Sequence, residues 1–210
     1  MATIIGHRGY WKRHEERNAR SAFERSFASG FGIETDLRDD RGRLVISHDP
    51  PSGQEPSLDS VLSLYSDHGC PGPLALNIKA DGLQEMLAAS IEAHQVSDWF
   101  AFDMSVPDGV DFAKHGMCFF TRQSEYEPMP ALYDESAGVW VDSFERDWFD
   151  DATLCAHLDA GKRVCVVSPE LHARNAEPVW RTWADWRAFA SPDLIVCTDH
   201  PQQLRDRLPT

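Results

Sequence analysis

Nine short apolar runs, most of them separated by segments long enough for a helix, limit what this chain can fold into more than any other feature. They lie at residues 3–6, 33–37, 44–47, 74–79, 99–104, 117–121, 138–141, 163–167 and 194–198. Helices are expected over 18–29, 57–67, 82–94, 150–160, 176–189 and 201–208. Asn18 stands where the first would take its N-cap, with Gly30 just past its end. Ser57 stands likewise for the second, which puts Leu58, Val61, Leu62 and Tyr65 on one face. Strand alternating with helix is the pattern of a parallel sheet with helices outside it. About eight such units point to a closed α/β barrel of the (β/α)8 kind, and 210 residues is near the lower length for one. An open doubly wound sheet is the alternative, but neither a Gly-x-Gly-x-x-Gly after the first strand nor a P-loop is present. With no low-complexity linker, residues 1–210 read as one domain; 123–130 and 168–177 are its longest expected loops.

Charge narrows the partners. The formal net charge is −14, which opposes a general nucleic-acid binder. An anionic small molecule would also be repelled at long range, so a phosphate site here needs a local cation. No apolar run approaches the roughly 20 residues of a membrane span. The N-terminus has no basic leader followed by an apolar stretch, so a cytoplasmic protein is expected. Nothing in the sequence fixes an oligomeric state. The five cysteines, Cys70, Cys118, Cys155, Cys165 and Cys197, are scattered and form no Cys-x-x-Cys pair; they are expected to be buried, reduced thiols.

In a barrel, reactive groups gather at the C-terminal ends of the strands. Several strand ends here carry residues that a core strand would not choose. The first run leads into His7-Arg8-Gly9, the second contains Glu34 and Asp36, the third leads into His48-Asp49, and the fourth contains Asn77 and Lys79. Residues two apart on a strand share a face, so Glu34 projects with Asp36, and Asn77 with Lys79. Paired carboxylates in a barrel mouth repel each other and lose hydration. A hard divalent cation of the Mg²⁺ or Ca²⁺ type relieves both costs. The ordinary reading of the pair is two exposed charges matched by Arg38 or Arg41. His7 and His48 suit base and acid in one reaction, Arg8 can fork onto phosphate oxygens, and Lys79 can neutralise developing charge. Singly, each has a structural alternative: a hydrogen-bonded imidazole, a surface ion pair, a lysine with its stem packed.

Together these pieces resemble the glycerophosphodiester phosphodiesterase family. The matching stretches are IIGHRG and ERNARSAFERSFASGFGIETDLRDDRGRLVISHD, with weaker matches in LALNIKADG and LIVCTDHP. The family's Glu-Asn pair is split here as Glu16-Arg17-Asn18, and its Asp-Gly turn has become Asp40-Arg41-Gly42. From residue 99 to 190 only the strand rhythm matches.

The resemblance implies a TIM barrel and a metal-dependent phosphodiesterase acting on a glycerophosphodiester-like small molecule, as in lipid metabolism. It makes His7 and His48 the acid/base pair and Glu34 and Asp36 metal ligands, with Arg8 and Lys79 on the phosphoryl oxygens. The family's third ligand is a glutamate, and Asn77 occupies that position. The usual inserted subdomain after His-Asp is missing, since only residues 50–56 separate His48-Asp49 from the next helix. Selection of the substrate's head group would then fall to later strand ends, where Asp103, Arg122, Asp142, Glu170 and His172 are the candidates. Two other outcomes are compatible with the same residues. One is a lyase that stops at a cyclic phosphate. The other is a weakened barrel that binds a phosphorylated metabolite or glycan, which Asn77 favours.

Overall fold

Side chains alternate along each strand between an outer layer of helices and a shared interior, and this alternation builds the molecule. The computed structural model describes residues 1–208. In chain order the elements are β1 (Thr3–His7), α1 (Arg20–Ala28), β2 (Gly32–Asp40), β3 (Arg43–Ile46), α2 (Leu58–Asp67), β4 (Leu74–Ile78), α3 (Gln84–Ala93), β5 (Trp99–Phe102), α4 (Val106–Lys114), β6 (Phe120–Gln123), β7 (Gly138–Val141), α5 (Asp151–Asp159), β8 (Arg163–Val167), α6 (Glu177–Trp183), β9 (Leu194–Thr198) and α7 (Pro201–Arg205). The parallel strands run in the order β5-β4-β2-β1-β9-β8-β7-β6. A parallel bridge between Ala101 and Phe119 joins the two ends and closes the barrel. All nine expected strands are present, and the fold is the TIM barrel.

β3 lies outside that wall. It folds back antiparallel on β2 through Arg41 and Gly42, both with positive φ (50° and 78°), as a two-residue hairpin turn requires. The short stretch after it is strapped down by Ile46 N–H donating to the Pro56 carbonyl at 2.9 Å.

Three apolar clusters hold the barrel. Ile33, Leu37, Leu74 and Leu76 point outward onto α1, α2 and α3. Val139, Val141, Val164, Val166, Leu194 and Val196 do the same on the other side, under Leu154, Trp180 and Trp183. The residues one position along from these point inward: Ile5, Ala75, Phe100, Phe102, Phe120, Trp140, Cys165, Val167, Ile195 and Cys197. Phe100 stacks on Phe120, and Phe102 on Trp140, each with ring centroids 3.8 Å apart. The interior is thus filled, and it floors whatever lies above it.

Four local expectations are corrected. Asn18 does not cap α1. Its φ is +59°, Ala19 takes the cap position without a side-chain bond, and the Asn18 amide turns into the barrel mouth, where buried partners await it. The expected helix over 176–189 is broken: α6 ends at Trp183, and a separate 3-10 turn spans Arg187–Ala190. The break lets Trp183, Trp186 and Phe189 gather around one another and Phe149, an aromatic gain that outweighs local helix propensity. α4 was not anticipated because Pro107 and Gly109 weaken its propensity; Ser105 Oγ caps it by accepting from Asp108 N–H. Cys70 is exposed in the loop after α2, unlike the buried Cys155, Cys165 and Cys197.

Candidate active site

Above the aromatic floor the same inward-facing positions turn polar. His7, Asn77, Arg122, Asp142 and Asp199 each follow an inward apolar residue by two positions, and Glu34 and Asp36 continue the same alternation on β2 from Gly32, so strand alternation delivers them to the mouth. A cavity of about 290 Å³ opens there, floored by Phe102, Trp140 and Val167. Its polar wall includes His7, Arg8, Arg17, Glu34, Asn77, Asp103, Arg122, Asp142 and His172.

β1 ends in a tight turn. Gly9 has φ +83°, and a Cβ there would lie 2.9 Å from the Ala22 carbonyl carbon, so only glycine fits. The turn aims the Arg8 N–H at Glu34 Oε2 (3.1 Å). His7 Nδ1 meets Asp199 Oδ1 at 2.7 Å, leaving Nε2 on the cavity side, 3.9 Å from Glu34 Oε2. Arg17 binds the other Asp199 oxygen at 3.0 Å, with its guanidinium over the Trp11 ring at 4.5 Å. Burial pushes the Asp199 carboxyl up, but the hydrogen bond from His7 and the charges of His7 and Arg17 outweigh it and hold the group below its ordinary value.

Glu34 and Asp36 are buried, not exposed charges, and neither Arg38 nor Arg41 pairs with them. Arg38 Nε donates to the His48 carbonyl, and Arg41 faces Asp40. Asp36 is matched by Arg8 (3.0 Å) and Lys79 (3.7 Å), and Asn18 Nδ2 donates to it at 2.9 Å. Thr35 Oγ donates to Asn18 Oδ1 at 2.9 Å, which fixes the amide's orientation. Burial pushes the Glu34 carboxyl up; His7 opposes that rise and Asp36 adds to it.

Among the described residues no group of three or more His, Cys, Asp and Glu side chains forms a metal site. The expected ligand set contains an amide, and its oxygens still suit a hard cation. Asp36 Oδ1 and Asn77 Oδ1 are buried without a hydrogen-bond donor, on residues paired in register between β2 and β4. Asn77 Nδ2 donates to Glu34 Oε1 at 3.3 Å, so Asn77 is in contact with the first carboxylate as well.

The other expected residues divide. Lys79 reaches Asp36 and Asp103 (3.3 Å) and does not line the cavity. Arg122 lines it, paired to Asp103 at 2.5 Å and to Glu127. Asp142 and His172 line it together, His172 Nε2 meeting Asp142 Oδ1 at 2.6 Å. Glu170 does not: its carboxylate accepts from Ser168, Thr198 and the Asp199 N–H, and so braces the β8 and β9 ends. His48 is not among the residues lining that cavity. It stands about half exposed on the turn after β3, its Nδ1 on Asp49 at 3.1 Å, one position beyond Ser47, whose N–H donates to the Asp36 carbonyl at 3.0 Å. Sequence reasoning missed Arg17, Asn18 and Asp199. Arg17 is the residue that splits the Glu-Asn pair, and Asp199 belongs to the closing TDHP, so a signal for both was present.

No family model matches the chain, and no curated protein matches it. Solved structures do. A glycerophosphodiester phosphodiesterase from Agrobacterium tumefaciens str. C58 aligns at TM-score 0.70 with 17% identity, over 98% of this chain and 100% of that one. An Oleispira antarctica phosphodiesterase in complex with the product sn-glycerol-3-phosphate aligns at 0.67 with 17% identity, over 99% and 96%. A glycerophosphoryl diester phosphodiesterase from Parabacteroides distasonis ATCC 8503 aligns at 0.69 with 14% identity, over 100% and 88%. At these identities the likeness shows the shared fold.

Proposed function

We propose that the protein is a phosphodiesterase that hydrolyses a small glycerophosphodiester-like molecule at the β1–β2–β4 side of the barrel mouth. The observation that carries this reading is the Asp199–His7 pair, which presents His7 Nε2 to a cavity also lined by Arg8, Arg17 and Glu34. Asp199 fixes the tautomer and orientation of the imidazole, so Nε2 is free to take a proton from the attacking oxygen. Arg8 and Arg17 hold the phosphoryl oxygens, each kept in place by a buried carboxylate. Lys79 neutralises Asp36 and Asp103 from beside the cavity. Glu34, Asp36 and Asn77 would hold a divalent cation of the Mg²⁺ or Ca²⁺ type. When bound, such an ion polarises a non-bridging phosphoryl oxygen. Arg122, Asp142 and His172 face the alcohol side. The likeness in fold to phosphodiesterases, one of them holding sn-glycerol-3-phosphate, supports the substrate class.

A binding barrel without turnover is the second reading, favoured by Asn77 standing in the ligand set. Release of glycerol phosphate from a panel of glycerophosphodiesters, with Mg²⁺ or Ca²⁺ and after chelation, decides between them. Metal-dependent release is expected. Binding of the diester with no release would establish the second reading.

A further inference from the structure

We propose that a small apolar cavity adjoining the one described above is a subsite for an alkyl chain carried by the substrate's alcohol. The assignment rests on the phosphodiesterase reading and narrows its substrate class. β6 and β7 are consecutive parallel strands joined without an α-helix. The irregular segment 124–137 leaves the C-terminal end of β6 instead, and part of it faces the start of α4. Between the two lies a cavity of about 70 Å³, walled by Met104, Val106, Phe119 and Leu132. Asp103 and Arg122 line both this cavity and the larger one, so the two adjoin across that ion pair.

The polar groups on its wall are already paired. Thr121 Oγ donates to the Ala131 carbonyl, Ser105 Oγ donates to Asp81 at 3.0 Å and accepts from Asp108 N–H, and Arg122 is held between Asp103 and Glu127. A polar occupant would find few free partners, whereas an alkyl chain covers exposed carbon. The surroundings point the same way. Among the described residues the large apolar side chains left exposed are Met1, Val106 (56%), Tyr126 (63%) and Met129 (86%), and the last three stand on the two connections that border this cavity. Single exposed apolar residues are ordinary; their concentration beside one cavity is not. The segment that carries them is held in place. The Glu125 carboxylate accepts from Phe144 N–H (3.2 Å) and Glu145 N–H (2.7 Å), and Gln123 Nε2 donates to the Pro128 carbonyl at 3.0 Å. Tyr126 packs on Phe144, a wall of the larger cavity, with ring centroids 6.0 Å apart. Leu132 is kept at φ +55°, a conformation leucine seldom adopts, and reaches so close to Gly109 that a Cβ there would meet it at 3.0 Å. Glu125, Glu127, Asp134 and Glu135 share the segment, which opposes an anionic membrane surface. A chain joined through oxygen to a phosphorus in the larger cavity has only to pass Arg122 to lie between Val106 and Leu132.

The test is a series of glycerol 3-phosphate diesters of methanol, butanol and hexanol, each below its aggregation concentration, with Mg²⁺ or Ca²⁺ present. Full burial of a methylene is worth about fourfold, so half burial gives about twofold for each. kcat/KM is therefore expected to rise roughly tenfold from methyl to butyl, mainly through KM, and less steeply from butyl to hexyl. Val106→Asp and Ala131→Glu, both at exposed positions lining the subsite, each place a carboxylate there. Either should bring the butyl-to-methyl ratio of kcat/KM close to one, and a ratio taken within one protein does not depend on how much of it is folded. Equal kcat/KM across the series in the wild type, or a ratio unchanged in both variants, would overturn the subsite while the phosphodiesterase reading stands. So would a rise seen only above the aggregation concentration, which is the behaviour of a surface that docks on lipid aggregates. Wild-type protein that cleaves none of the diesters removes both the reading and the subsite.

Discussion

The barrel mouth has two halves built on different principles. On the side of β1, β2, β4 and β9, buried carboxylates are each held by several fixed donors: Asp36 by Arg8, Lys79 and Asn18, Asp199 by His7 and Arg17. On the side of β5 to β8 the polar groups form shorter chains, Asp103–Arg122–Glu127 and Asp142–His172, among aromatic rings including Phe102, Trp140 and Phe144. On the proposed function, the first half would fix charge on the phosphoryl group that such substrates share. The second would face the alcohol, where they differ. Preorganised charge is where stabilisation of a transition state resides, so the two halves should respond differently to substitution.

The largest difference is expected for His7→Ala, which should lower kcat roughly 10²-fold or more on every diester alike. Arg122→Ala in the other half should instead reorder the preference among leaving alcohols. Steady-state kinetics on a diester panel would break the comparison if His7→Ala changed preference while leaving turnover intact.

Next comes stability. Asn18→Ala removes the donor to Asp36 and the acceptor for Thr35, both buried, and should cost about 1–3 kcal/mol. Urea unfolding of the variant measures it. A cost near zero would mean that the charge-fixing half does not depend on its second layer of hydrogen bonds.

Arg17→Ala should weaken binding of inorganic phosphate about tenfold, near 1.4 kcal/mol. Calorimetric titration reads this without turnover, and unchanged affinity would leave Arg17 as no more than a brace for Asp199. A smaller change, in the opposite sense, is expected for Asn77→Glu, which adds a charge to the ligand set and should tighten Mg²⁺ or Ca²⁺ binding several-fold. Unchanged or weaker affinity in a folded variant would remove Asn77 from the set.

The smallest effect concerns pH and the second half. His157 binds Tyr133 Oη (2.9 Å) and Gln123 Oε1 (2.8 Å), tying α5 to the β6–β7 connection, and burial pushes its pKa down. Its folded value lies below its unfolded one, near 6.5, so the unfolded chain takes up the proton first. Stability should therefore be full above that value and decline as pH falls below it. His157→Gln should flatten the decline in denaturant titrations between pH 7.5 and 5.5, and an unaltered slope would assign it to other groups.

How much of this was legible depended on range. His7, Arg8, Glu34 and Asp36 could be placed because strand alternation and a spaced motif act over a few residues. Asp142 and His172 carried only the weak hint of polar residues at strand ends, since no motif spans residues 99–190. Glu170 gave the same hint and proved to be a brace, because Ser168, Thr198 and the Asp199 amide claim its oxygens. Asn18 looked like a cap, which is a local role, and buried partners in β2 won it instead.

By itself the sequence determined the nine strands, which of their faces look inward, and therefore that a polar ring would crown an apolar barrel, because side-chain direction is a period-two property of the chain. Partnership was decided by tertiary structure alone. Closure sets β9 against β1 and so brings Asp199 to His7, 192 positions away along the chain. The path of the turn after β8 carries His172 to Asp142, while the return of β3 along β2 leaves His48 half exposed on the turn beyond Ser47. Alternation fixes where a side chain points; which group it meets depends on how the strands close around the axis.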